Sequence, residues 1–211
     1  MMVRREDRLP LLLLALTAVL LVVTGIRPYD RGTWLLEVFP VLIAAPILIA
    51  TRRRFPLTTL LYVLVFLHAT ILMVGGAYTY ARVPFGFWLE RLFDLGRNPY
   101  DKIGHFAQGF VPALVAREVF IRNDIVRGRG MTAFLCVCVA MAVSALYELI
   151  EWWAALALGQ GADEFLGTQG YVWDTQSDMF YALIGSVIAL ALLSRLHDRQ
   201  LAAIKPLSVP R

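Results

Sequence analysis

The sequence predicts an all-α, polytopic membrane protein of about six transmembrane helices. Three observations carry that prediction. Of the 211 residues, 59% are hydrophobic and the mean hydropathy is +0.65, whereas soluble domains run at roughly 45–50% apolar. Apolar stretches long enough to cross a bilayer, about 20 residues each, recur along the chain. The basic residues gather at alternate ends of those stretches, the pattern that membrane topology imposes.

The spans fall at approximately 9–26, 34–50, 56–78, 102–121, 131–158 and 176–194. The first follows Arg4, Arg5 and Arg8, as a signal peptide would. The Arg27-Pro28-Tyr29-Asp30 stretch behind it is a poor small-residue cleavage site, so the run reads as an uncleaved helix. The second carries Pro40 and Pro46, tolerable in a membrane helix where neighbours satisfy the freed carbonyls. The third holds one ionisable group, His68. The fourth is the least apolar, with Asp101, Lys102, His105 and Gln108 at one end and Arg117 and Glu118 at the other. The fifth contains Cys136 and Cys138, whose place inside an apolar segment argues against a structural disulfide. Six spans and their short loops use up the chain, leaving a single membrane domain over 1–211 and no room for a second, soluble one.

Alternating the loops between two sides puts fourteen of the 20 Lys and Arg on one side. The positive-inside rule makes that side cytoplasmic, with both termini in it. The asymmetry depends on counting the fourth span. The net charge of +4 is explained by these helix ends and does not point to nucleic acid. Trp34, Trp88, Trp152, Trp153 and Trp173 all fall at outer ends or outer loops, where interfacial tryptophan is expected. Phe85, Trp88, Leu89 and Leu92 recur at helical spacing within residues 83–95, the pattern of a short amphipathic helix on the outer surface. An ordinary folded loop is the alternative.

The acids divide the opposite way. Eleven of the 16 Asp and Glu fall on the outer side. Glu148 lies about 17 residues into the fifth span, roughly 25 Å from its inner end, hence inside the outer hydrocarbon. Glu151 follows one turn later on the same face. Asp101 and Gln108 stack on the face of His105, and Asp174 and Asp178 are one turn apart at the start of the last span. Ionisable groups at membrane depth are costly unless paired or hydrated, and they mark functional sites by default. Their convergence predicts a water-accessible outer pocket that binds a cation. So many carboxylates cannot all ionise without a counter-charge. A divalent metal would supply it: Zn, Mn or Fe where His joins carboxylates, Mg or Ca where carboxylates act alone.

On this reading His105, Glu148 and Glu151 hold the metal, while Asp174 and Asp178 position or activate water. Asp101, Gln108, Asp163 and Glu164 contact the substrate. The outer loop 159–175 carries acids and no Lys or Arg, so it has the composition of a lid for a cationic site. The alternative is a hydrogen-bonded polar core in which Lys102, Arg97 and tyrosine hydroxyls neutralise the acids. His68, alone in its span, reads as a histidine bonded to a neighbour. Glu37 and the Arg117-Glu118 pair read as interfacial charges or ion pairs.

Three long motifs, DKIGHFAQGFVPALVARE (101–118), YELIEWWAALALGQGADEFLGTQG (147–170) and WDTQSDMFYALIGS (173–186), closely resemble the YjdF-type family of bacterial inner-membrane proteins. The resemblance implies a multi-pass protein of the inner cell membrane with its polar motifs outward. It implies no activity. A shorter similarity is to VanZ-like membrane proteins, whose Asp-Lys-x-x-His-Phe element and later Asp-to-Gly helix fall on Asp101, Lys102, His105, Phe106, Asp178 and Gly185. That likeness implies a role near cell-envelope lipid precursors or in lipoglycopeptide sensitivity.

The leading functional expectation is a metal-dependent enzyme or binding protein for an envelope lipid or lipid-linked substrate. A cation or proton transporter and a non-catalytic scaffold are the competing classes.

Overall fold

The computed structural model describes residues 8–158 and 171–204. These form helices and connecting turns, with no strand among the described residues. The helices are α1 (Arg8–Ile26), α2 (Arg31–Thr51), α3 (Thr59–Ala77), α4 (Pro84–Phe93), α5 (Tyr100–Arg122), α6 (Arg129–Leu158) and α7 (Asp174–Ala203). Five of them, α1, α2, α3, α6 and α7, are long and apolar enough to span a bilayer.

Local chemistry sets the boundaries. Asp30 caps α2, its carboxylate accepting from the Thr33 N–H at 2.7 Å, and this bond holds the Asp30 carboxyl below its usual range. Thr58 caps α3 in the same way. The amphipathic segment is helical over Pro84–Phe93, with Pro at its first turn. Its Phe85, Trp88 and Leu92 remain about half exposed, as an interfacial face requires.

The helix at the predicted fourth span, α5, does not qualify as a span by hydropathy because of its charged ends, and more than half of its 23 residues are buried. It lies at the centre of the bundle, against α3, α6 and α7. The α5–α7 pair runs parallel, since the start of α5 meets the start of α7 (Lys102 with Asp178) and its end meets the end of α7 (Glu118 with His197). Glycine makes the approach possible. A Cβ on Gly109 would stand 1.8 Å from the Ala182 carbonyl oxygen, and one on Gly185 would stand 2.1 Å from the Phe106 oxygen. Backbone contact of this kind is how membrane helices associate where no hydrophobic force drives them.

The termini of the helices gather polar groups at two opposite ends. One end holds the starts of α2, α5 and α7 with the ends of α3 and α6; it is the end that the charge asymmetry of the sequence predicts to be outer, and it is called the outer end. Between the two ends the packing is largely apolar, with Ser144 and Ser186 as fully buried polar exceptions. Leu61 and Leu114 pack with Ala189, and Ala113 packs with Cys136 and Ala140.

Candidate functional site

The outer cluster begins with α5. Asp101, His105 and Gln108 share one face because residues three and four apart are helical neighbours. His105 Nδ1 lies 2.9 Å from Gln108 Oε1, and its Nε2 lies 3.3 Å from Asp101 Oδ1. The parallel α7 brings Asp178 to the same place, with Oδ2 3.8 Å from Nε2. From α6, Glu148 Oε1 stands 3.7 Å from Nδ1. All of these side chains are more than nine-tenths buried.

The counter-charge foreseen from the sequence as a metal is supplied in part by the chain itself. Lys102 Nζ donates to Asp178 Oδ1 at 2.6 Å, Asp174 Oδ1 at 2.8 Å and Asp101 Oδ2 at 3.3 Å. Arg97 pairs with Asp174 as well. The two aspartates are therefore divided. Asp101 gives Oδ2 to Lys102 and Oδ1 to His105, and Asp178 gives Oδ1 to Lys102 and Oδ2 to His105.

The metal ligands expected from the sequence, His105, Glu148 and Glu151, are distributed differently. Among the described residues, the group whose ligand atoms converge is Asp101, His105 and Asp178, all within 4.8 Å of one another. Asp101 had been assigned to substrate and Asp178 to water activation. Within one helix the sequence displays the spacing of Asp101 and His105, but that Asp178 completes the trio depends on the direction and register of α7. Glu148 Oε1 has no hydrogen-bond partner among the described residues. Asp163 and Glu164, with loop residues 159–170, lie outside the described residues.

Two spaces border the cluster. A cavity of about 20 Å³, room for one water or ion, is lined by Glu37, Tyr80, Asp101, His105, Tyr147 and Glu151, among others. Glu37 is thus not an interfacial charge. It is 6% exposed, and the Tyr147 hydroxyl donates to it at 2.8 Å. Thr79 and Tyr80, which also line this cavity, both have positive φ (54° and 52°). Non-glycine residues held there cost of order 1–3 kcal/mol each and persist where the surroundings over-determine them. On the other side, a groove between α6 and α7 has Leu149, Trp152 and Met179 on its walls and Glu148, Glu151, Asp174 and Asp178 along it.

The opposite end holds a second network, where the sequence reading had interfacial charges or ion pairs and the structure has ion pairs with other partners. Glu118 is fully buried and accepts from the Thr58 N–H and hydroxyl, Arg122 and His197. His197, also fully buried, was missed. Arg117 can only donate, so His197 Nδ1 accepts from it and Nε2 carries the proton given to Glu118.

The fold and its buried acidic–histidine centre define a polytopic helical membrane protein. The chain belongs to the family described as predicted membrane protein (DUF2238), whose model matches residues 9–199. It is 64% identical to the inner membrane protein YjdF of Escherichia coli (strain K12) over 188 residues, covering 89% of this chain and 90% of that protein. No solved structure matches. The chain is accordingly an inner-membrane protein.

Proposed function

We propose that this protein is a metal-dependent enzyme or binding protein for an envelope lipid or lipid-linked substrate, with a divalent cation held by Asp101, His105 and Asp178. The division of the two aspartates carries the reading. Their Lys102-facing oxygens are satisfied, while their other oxygens flank His105 Nε2. A cation there would need no displacement of Lys102, which would orient the ligands from behind as outer partners of metal sites do. Gln108 supports the same role by accepting from Nδ1–H, which leaves the Nε2 lone pair for the ion. Ligand atoms about 2.0–2.1 Å from a tetrahedral ion stand some 3.3–3.4 Å apart, close to the 3.3 Å between Nε2 and Asp101 Oδ1.

The substrate half of the proposal rests on the α6–α7 groove. Its apolar walls suit a lipid chain, and its acids place the polar work beside the cation. Glu148 lines this groove, and its carboxylate is a fitting general base for water. When bound, the metal would supply a Lewis acid and lower the pKa of water. Transport is less well supported, because the apolar layer of Leu114, Ala113, Cys136 and Ala140 lies between the two polar ends.

The test is metal content of the detergent-purified chain by elemental analysis, wild type beside His105→Ala and Asp178→Asn. Near-stoichiometric Zn or Mn in the wild type, lost in both variants, is the expected result. A folded wild type that takes up no metal on reloading sinks the proposal and leaves the structural polar core.

A further inference from the structure

A cleft of about 210 Å³ lies among α1, α2 and α3, apart from the outer cluster. It exists because α1 and α2 each pack on α3 and barely on each other, and because α1 contributes no buried residue to the bundle. Leu14, Ala45, Leu48 and Phe66 give it apolar walls. Leu11 and Ile49, also in the lining, stay exposed, so the cleft meets the lipid-facing surface.

The lining is polarised along its length. It runs on α2 from Val41 to Arg52 and on α3 from Leu72 to Tyr62, about 15–16 Å of helix. That is one leaflet's share of a hydrocarbon core about 30 Å thick. Val41, Ala69 and Leu72 wall the deep end. Pro10, Arg52 and Tyr62 mark the other end, where α2 finishes and α1 and α3 begin, opposite the acidic cluster. Arg52 is half-buried there, whereas Arg53 and Arg54 beyond it are exposed. The Tyr62 hydroxyl accepts from the Leu57 N–H at 3.3 Å and keeps its own proton to donate. The deeper polar groups offer an occupant little. Thr17 donates to its own helix at the Leu13 carbonyl. His68 Nε2 is buried and, against the bonded neighbour expected from the sequence, has no hydrogen-bond partner among the described residues.

We propose that this cleft seats an acyl chain of an anionic phospholipid, with the lipid phosphate on Arg52. The length and apolar walls fit a chain that descends through one leaflet. The charge sits where that leaflet keeps its phosphates, and basic pockets between helices on the cytoplasmic side bind anionic head groups. A guanidinium has five N–H donors in a fork that matches phosphate, so Arg52 can serve the lipid together with a partner in its own chain. A neutral lipid would leave this charge unused, and the choline of a zwitterionic lipid would meet Arg53 and Arg54. The site is independent of the metal reading.

The full-length chain is delipidated in detergent and titrated with palmitoyl-oleoyl phosphatidylglycerol or the matching phosphatidylcholine, and native mass spectrometry counts the lipid bound per chain. One saturable phosphatidylglycerol is expected, with phosphatidylcholine weaker. Arg52→Gln should weaken phosphatidylglycerol about fivefold, one basic residue's contribution at an anionic surface, and abolish the preference for it. Arg52→Lys keeps most of the affinity, and Ala45→Phe, which fills the cleft, removes the saturable lipid. Arg199→Gln, at an exposed position on α7, leaves binding unchanged. Equal affinity for the two lipids overturns the proposal, as does wild-type binding in Arg52→Gln, equal displacement by palmitate, or no saturable lipid at all. Should Ala45→Phe not fold, the two arginine variants decide: equal loss in Arg52→Gln and Arg199→Gln means general attraction to a basic surface and sinks the site.

Discussion

Glu118 illustrates what a single buried charge demands. It has no exposed surface, and Thr58, Arg122 and His197 satisfy it from three helices or their caps. Replacing it by Leu would leave Arg122 and His197 facing an apolar side chain. Breaking a buried pair from one side costs about 3–5 kcal/mol. Glu118→Leu should therefore lower the apparent unfolding temperature in detergent sharply, whereas removal of the exposed Asp124 carboxyl, paired with exposed Arg127, should change it little. A Glu118→Leu protein as heat-resistant as the wild type would mean the network contributes nothing.

The same residue-level logic separates the outer cluster from the inner one. Each acceptor oxygen of Glu118 is engaged, although Arg122 Nη2 beside it is buried without a hydrogen-bond partner among the described residues. Around His105, Glu148 Oε1 is unpartnered among the described residues and a cavity adjoins the ring. A carboxylate engaged through both oxygens stabilises; one with an unpartnered oxygen leaves coordination for something else. The sequence displayed the acids of both ends but not this distinction, because satisfaction depends on partners 60 to 81 residues away in the chain.

At the scale of the elements, α5 and α7 are the pair on which the site depends. Their backbones meet at Gly109 and Gly185, one to two turns below His105 and Asp178. Gly109→Leu has no space against Ala182 and must push the helices apart. The expected outcome is loss of folded protein or, where the chain survives, loss of the Asp178–His105 approach and of metal retention. Gly96→Ala is the control, since a Cβ there meets nothing within 4 Å. Equal metal content in Gly109→Leu and wild type would show that the α5–α7 contact does not set the site. The short α4 was legible from its Phe85/Trp88/Leu92 spacing, and its apolar face stays exposed for the membrane surface. The helix at the predicted fourth span, α5, was legible only through charge counting, because its buried charges depress its hydropathy.

For the whole molecule, the charge asymmetry and the helix directions together predict an orientation. Both termini should be cytoplasmic, with α4 and the acidic cluster outward. In cells carrying single-cysteine variants made on a Cys136→Ala/Cys138→Ala background, an impermeant thiol reagent should label Arg91→Cys and spare Arg127→Cys. The reverse labelling would invert the protein and move the proposed metal centre to the cytoplasmic leaflet.

Sequence alone determined the solvent of this protein and the approximate position of its spans, because hydropathy and Arg/Lys placement are local properties that a bilayer sorts directly. It also marked the outer acids and His105 as the groups needing explanation, since charge at membrane depth is costly whatever the fold. Only tertiary structure decided which of them meet. The parallel course of α5 and α7, permitted by two glycines, put Asp178 rather than Glu151 beside His105 Nε2, turned Lys102 toward three aspartates and enclosed Glu37 with Tyr147. It also left His68 Nε2 buried with no hydrogen-bond partner among the described residues. These are distances between helices, and no spacing within one helix encodes them.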